Sequence, residues 1–144
     1  MEYIEAPTVY SGDKPSLFLA GGITGCPDWQ SGTIPQLSDL DIAIFNPRRP
    51  GFPLNKSFEQ IEWEYQHLRK ATVISFWFCA EGLNAISLYE LGAWSMTTKP
   101  ILVGVHPHFH RRIDVEIQTR LTRPDVRVVS TLPDLIQQIR QVFA

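Results

Sequence analysis

Glu90 stands in Tyr89-Glu90-Leu91-Gly92-Ala93-Trp94, a carboxylate among apolar residues shortly after a hydrophobic run. That run, Ala71 to Phe78, is β-branched and aromatic with no charge and reads as a buried strand. Ile86 to Met96 reads as a helix whose apolar side chains Ile86, Leu88, Tyr89, Leu91, Ala93 and Trp94 give it a broad packing surface. An unpaired carboxylate in that setting is costly, because desolvation disfavours its charged form. Either backbone N–H groups satisfy it or the chain uses it. A second carboxylate, Glu64 in Trp63-Glu64-Tyr65, lies on the helix that precedes the strand. It borders the apolar face set by Ile61, Leu68 and Ala71, so it is either solvated or turned toward the pocket opposite Glu90. Two carboxyls flanking one bond suit acid and nucleophile work at a glycosidic centre.

Positioning these groups requires a scaffold, and the chain alternates strand and helix signals. Strands are expected at Ser16–Ala20, Ile42–Asn46, Val73–Phe78, Ile101–Val105 and Val126–Val129. Helices are expected around Asp28–Leu37, Phe58–Lys70, Ile86–Met96, Val115–Leu121 and after Thr131, which reads as an N-cap. Five strand–helix units in 144 residues give one α/β domain, 1–144, with a parallel sheet between two helical layers. The expected architecture is a flavodoxin-like three-layer αβα sandwich. Its five-stranded parallel sheet takes the order 2-1-3-4-5, counting those strands in sequence. Residues 1–15 are left as a loose arm or an extra edge strand.

In such sheets ligands bind beyond the carboxyl ends of the strands, where the strand order reverses. Four loops are selected. Gly21-Gly22-Ile23-Thr24-Gly25 follows the first strand, and Asn46 to Pro53, with Arg48 and Arg49, follows the second. Cys79 to Ser87 follows the third, and His106 to Arg112 follows the fourth. Glycines let the backbone approach a ligand. The spacing matches neither the dinucleotide fingerprint nor the triphosphate loop. Gly21, Gly22, Thr24 and Asp28 are the binding candidates of the first loop, and Arg48 is the anion-binding candidate of the second. His106, His108 and His110 alternate like metal ligands, but Pro107 interrupts them and no supporting cysteine or carboxylate motif stands nearby. No metal or other cofactor is expected.

The net charge of −2 with 19% charged residues argues against a nucleic-acid polymer or a membrane surface as partner. No apolar run reaches the roughly 18 residues of a membrane span. The opening residues MEYIEAPTVYSGDKP are too polar for a signal peptide. Cys26 and Cys79 form no metal or CxxC spacing and are expected as free thiols in a reducing cytoplasm.

The glycine turn, Trp63-Glu64 before the third strand and the run from Asn84 to Trp94 after it together resemble the nucleoside 2-deoxyribosyltransferase family. Within it they are closest to the 2-deoxyribosyltransferase-like branch, over roughly Leu17 to Leu121. The resemblance implies a nucleophile at Glu90 that attacks C1′ of the sugar and forms a glycosyl-enzyme ester. It also implies an acid at Glu64, where an aspartate is more usual, and a substrate contact at Asn84. The transferases carry an aspartate at that last position and the related monophosphate hydrolases a serine, so sugar and phosphate recognition stay open. A small-molecule nucleoside or nucleotide partner and a homo-oligomer are implied as well, with Phe109 and Trp29 as candidate interface aromatics. The expected function is cleavage or transfer of an N-glycosidic bond with retention. The alternative is a non-catalytic nucleotide-binding or sensing module.

Overall fold

A computed structural model describes residues 1–51 and 57–144 of the chain. Its elements in order are β1 (Glu2–Glu5), β2 (Ser16–Gly21), α1 (Trp29–Thr33) with a 3-10 turn at Ile34–Leu37, and β3 (Ala43–Asn46). They continue with α2 (Ser57–Lys70), β4 (Val73–Phe78), α3 (Ala85–Ser95), β5 (Ile101–Val105), α4 (Arg112–Thr122) and α5 (Leu132–Phe143). Every strand pairing is parallel, and the order is β1-β3-β2-β4-β5.

The α/β sandwich is as the alternating pattern implies, but the edges differ from the expected order. Val126–Val129 is not a fifth strand. Its one bridge is Gly104 to Val129, where Val105 N donates to Val129 O at 2.9 Å and Val129 N to Val103 O at 3.0 Å. The fifth strand comes instead from the N-terminal arm, with Glu2 to Glu5 in register with Ala43 to Asn46. The arm is also tied to α2: Trp63 Nε1 donates to Thr8 O at 2.6 Å, and Tyr10 N donates to His67 Nε2 at 3.0 Å.

Strand alternation sorts the core into two layers. Phe18, Ala20, Ile74, Phe76 and Phe78 face one side, where Trp63 and Leu68 of α2, Leu91 of α3 and Val115 of α4 cover them. Leu17, Leu19, Val73 and Trp77 face the other, under Trp29 of α1 and Leu135, Ile136 and Ile139 of α5. Thr131 caps α5, accepting from Asp134 N at 3.2 Å. Lys99 closes the other end of α2, its Nζ donating to Leu68 O, Arg69 O and Ala71 O at 2.7–2.9 Å. A cation on the last carbonyls complements the helix dipole.

The two cysteines are not free thiols: Cys26, in the loop after β2, and Cys79, at the end of β4, form a disulfide. Their separation of 53 residues carries no spacing signal. They meet because β2 and β4 are sheet neighbours. No helix among the described residues is long and apolar enough to cross a membrane.

Candidate active site

Because β2 and β4 lie side by side while the chain detours through β3, the strand order reverses between them. The loops that leave their carboxyl ends diverge there and open a cleft. A cavity of about 700 Å³ occupies this place. The loop Gly21–Gly25 forms one wall, Glu81 to Ser87 with the first turn of α3 forms another, and Gln60 and Glu64 of α2 close a third.

Two glycines are needed for the first wall. Gly21 has φ +152°, and a Cβ there would strike the carbonyl oxygen of Trp77 on the neighbouring strand. A Cβ on Gly22 would meet Asn84 Oδ1 and Cys26 Sγ. The loop therefore packs flush against the α3 entrance, which a side chain would prevent.

Asn84 stands at the N-cap of α3 in the left-handed conformation, φ 53° and ψ 37°, which asparagine tolerates better than most residues. Its Nδ2 donates to Gly82 O at 2.9 Å and to Cys79 O at 3.2 Å. Its Oδ1 lies 3.5 Å from Cys26 Sγ and 3.8 Å from Cys79 Sγ, which as a disulfide carry no hydrogen to give it. The amide thus shapes the loop while it lines the cavity.

Glu90 follows Asn84 by about one and a half helical turns, and both it and Glu64 are half-buried in the cavity wall. Burial pushes the Glu64 carboxyl up to about 7 from its ordinary 4.5, against a hydrogen bond from Gln60 that holds it down. Burial, and then the neighbouring Glu64 charge, push Glu90 up to about 8. Two carboxyls in one cleft cannot both ionise cheaply, and the values of both are raised toward neutral pH.

Of the eight residues singled out in the sequence, six line this cavity: Gly21, Gly22, Thr24, Glu64, Asn84 and Glu90. Asp28 and Arg48 do not. Asp28 caps α1 through Ser31 N at 3.2 Å. Arg48 lies 3.3 Å from Asp28 and donates to Ile23 O at 2.5 Å and Cys26 O at 2.9 Å, so it props the glycine loop from behind. The arginine that lines the cavity is Arg49, with Glu59 at 3.2 Å. Gln60 also lines it and donates to Pro47 O at 2.8 Å. One helical turn before Glu64, Gln60 was within reach of spacing alone. Residues 52–56, which complete the expected loop after Asn46, lie outside the described residues.

The histidine loop stands apart. His106 Nδ1 accepts from His108 N at 3.0 Å, and no metal-binding group of three or more ligands occurs among the described residues. Arg111 and Arg112 pair along α4 with Asp114 and Glu116. Phe109 and Trp29, expected as exposed interface aromatics, are instead buried at 3% and 5% exposure. Exposed apolar side chains occur on several elements, among them Phe58 and Ile61 on α2, Ile113 and Leu121 on α4, and a group on α3 and the loop before it. Leu83 and Ile86 line the cavity mouth at 73% and 66% exposure, and Tyr89 follows on the outer face at 77%.

No curated protein matches the chain. The model of the family described as nucleoside 2-deoxyribosyltransferase like matches residues 14–109, a span that contains β2 to β5 with Glu64 and Glu90. On that match over two thirds of its length, the chain belongs to the nucleoside 2-deoxyribosyltransferase-like family.

Proposed function

We propose that this protein cleaves or exchanges the N-glycosidic bond of a nucleoside or nucleotide with retention, Glu90 acting as nucleophile and Glu64 as acid. The observation that carries the reading is the pair of half-buried carboxyls facing one cavity, with carboxyl pKa values raised to about 7 and about 8.

In the first step a Glu90 oxygen attacks C1′. The electrons of the C1′–N bond pass to the departing base, and Glu64 gives that base a proton. The adjacent carboxylate stabilises the oxocarbenium-like transition state and ends as a glycosyl ester. In the second step an incoming base nitrogen or a water attacks C1′ from the vacated side, Glu64 takes its proton, and Glu90 is released. A transferase differs from a hydrolase in keeping water away while the bases exchange. Asn84, Thr24 and the backbone of Gly21 and Gly22 are assigned to the sugar side. Arg49 is assigned to an anionic substituent, for which its guanidinium fork is suited.

The working unit is a homo-oligomer in the cytoplasm, its interface the exposed face of α3 around Ile86 and Tyr89, which continues from the cavity mouth. Ile86→Asp with Tyr89→Asp lowers the assembly state seen by light scattering if this face is used; an unchanged mass rejects it.

Wild type and Glu90→Ala are incubated with deoxynucleosides, nucleosides and their 5′-monophosphates, with and without an acceptor base, and base release is followed by chromatography. Release by wild type alone supports the reading, and its dependence on acceptor separates transferase from hydrolase. Undiminished release by Glu90→Ala rejects the nucleophile. A second reading, a nucleotide-binding module without turnover, is favoured by one observation: the Asn84 amide is engaged by Cys79 O and Gly82 O. Saturable nucleotide binding with no base release over long incubation selects it.

A further inference from the structure

The cavity has one covalent feature that the proposed chemistry does not use. Cys26 belongs to the loop that continues the Gly21–Gly25 wall, and Cys79 opens the segment that leads through Gly82 to Asn84. Their bond therefore joins two walls of the same cavity, directly behind Asn84, whose Oδ1 faces both sulfurs. Space around Cys26 Sγ is limited on two sides, since a Cβ placed on Gly22 or on Gly82 would collide with it. Two separate thiol sulfurs stand further apart than a bonded pair, and with Gly22 and Gly82 on two sides Cys26 Sγ can make room only by moving with its loop.

We propose that the Cys26–Cys79 bond is a redox-responsive brace of the substrate cavity: oxidised, it holds the Gly22–Cys26 loop against Asn84, and reduced, it releases that loop. The two sulfurs are unequal, Cys26 being half-buried and Cys79 only 3% exposed. A dithiol reductant therefore attacks Cys26 Sγ. That step forms a mixed disulfide and expels the Cys79 thiolate, which takes up a proton. The second thiolate of the reductant then displaces Cys26, leaving two protein thiols and one oxidised, cyclic reductant. Two electrons pass to the protein. Such exchange is governed by access and by the attacking thiolate, and the access runs through the loop that the bond restrains. In a reducing compartment a lasting structural bond is unusual, whereas a regulatory one is the common kind.

Any effect on turnover rests on the functional reading above; the effect on the loops does not. The full chain is prepared with oxidised glutathione or with dithiothreitol, free thiols are counted, and amide hydrogen exchange is compared. The expected count is none against two. On reduction, residues 22–26 and 80–84 exchange at least about tenfold faster while β5 and α5 are unchanged. Nucleoside affinity falls several-fold in parallel. Cys26→Ser behaves as the reduced form in both buffers, and reversible reduction of wild type gives the same comparison without a substitution. Two thiols persisting under the oxidant overturn the proposal, as do equal exchange rates in the two loops. If neither form binds any nucleoside, the functional reading falls, and the exchange pattern alone still decides the brace.

Discussion

Replacing Glu90 with glutamine should stabilise the protein at alkaline pH and leave it nearly unchanged in acid. A carboxyl whose folded pKa is raised binds its proton more tightly in the folded chain than in the unfolded one. The resulting stability is fully present below the ordinary 4.5 and is lost as pH rises through the folded value, about 8 for Glu90. A gap of about 3.5 corresponds to roughly 5 kcal/mol at full ionisation, taking 1.36 kcal/mol per pH unit. Glu90 is half-buried rather than sealed, so solvent screening reduces this to about 2–3 kcal/mol. Glutamine resembles the protonated carboxyl in shape and never ionises, so it escapes the penalty. Denaturant unfolding of wild type and Glu90→Gln at pH 5 and pH 9 reads the difference, and titrating groups remote from Glu90 cancel between the two proteins. The expected gap is near zero at pH 5 and about 2–3 kcal/mol in favour of the variant at pH 9, or about 8 °C in melting temperature. Equal stabilities at pH 9 would refute the claim that Glu90 is held in a desolvating site beside another carboxyl.

The same pair predicts a narrow bell in the pH dependence of kcat/KM, with limbs near 7 and 8, assigned to the pair rather than to either residue. Glu64→Gln should abolish one limb along with most of the activity, whereas a broad plateau from pH 5 to 9 excludes a shared proton. Gly22→Ala places a Cβ against Asn84 Oδ1 and Cys26 Sγ, so it should cost about 1–3 kcal/mol by overpacking and weaken ligand binding. A melting temperature equal to wild type would show the wall to be looser than drawn. His67 is buried, donates Nδ1–H to Trp63 O and accepts from Tyr10 N, and burial holds its pKa below the ordinary 6.5. Its contribution is present above 6.5 and lost as pH falls below that value. Wild-type stability should therefore slope downward in mild acid, and His67→Gln should flatten the slope; identical slopes would acquit His67.

The elements that were legible in the sequence are those whose local pattern and tertiary role agree. Val73–Phe78 carries its strand signal because both faces are buried, and Thr131 announces a helix that it does cap. Where local pattern and partner availability diverge, reading failed. Val126 to Val129 has strand composition, yet only Val129 reaches β5. Tyr3 and Ile4, flanked by acids, form a strand because β3 offers them an edge. Arg48 and Arg49 are indistinguishable in sequence, and only the direction in which the chain leaves β3 decides which one lines the cavity. The disulfide was invisible for the same reason: sheet adjacency, not spacing, brings Cys26 to Cys79. Trp29 and Phe109 were misplaced at the surface because each sits in a loop-rich segment whose folding back onto the sheet has no local signature.

Where the two carboxyls hold proton and charge bears on how the proposed reaction would run. Burial raises both carboxyls, and Glu64 raises Glu90 further, so in the empty cavity nothing by itself puts the charge on Glu90, the assigned nucleophile, and the proton on Glu64, the assigned acid. The pair shares a proton around neutral pH, and what matters is where the negative charge sits when the C1′–N bond breaks. An oxocarbenium-like centre develops positive charge beside Glu90, while the departing base develops negative charge on the Glu64 side. Both fields push in the same direction: they draw the ionised state to Glu90 and the proton to Glu64. The interaction is absent from the empty cavity and strongest in the transition state, which is the condition for an electrostatic contact to raise kcat rather than only lower KM. A neutral glutamine at Glu64 breaks that exchange from one side and at Glu90 from the other. The two single variants should therefore lose nearly the same activity as the double variant, because each alone removes the shared proton's second resting place.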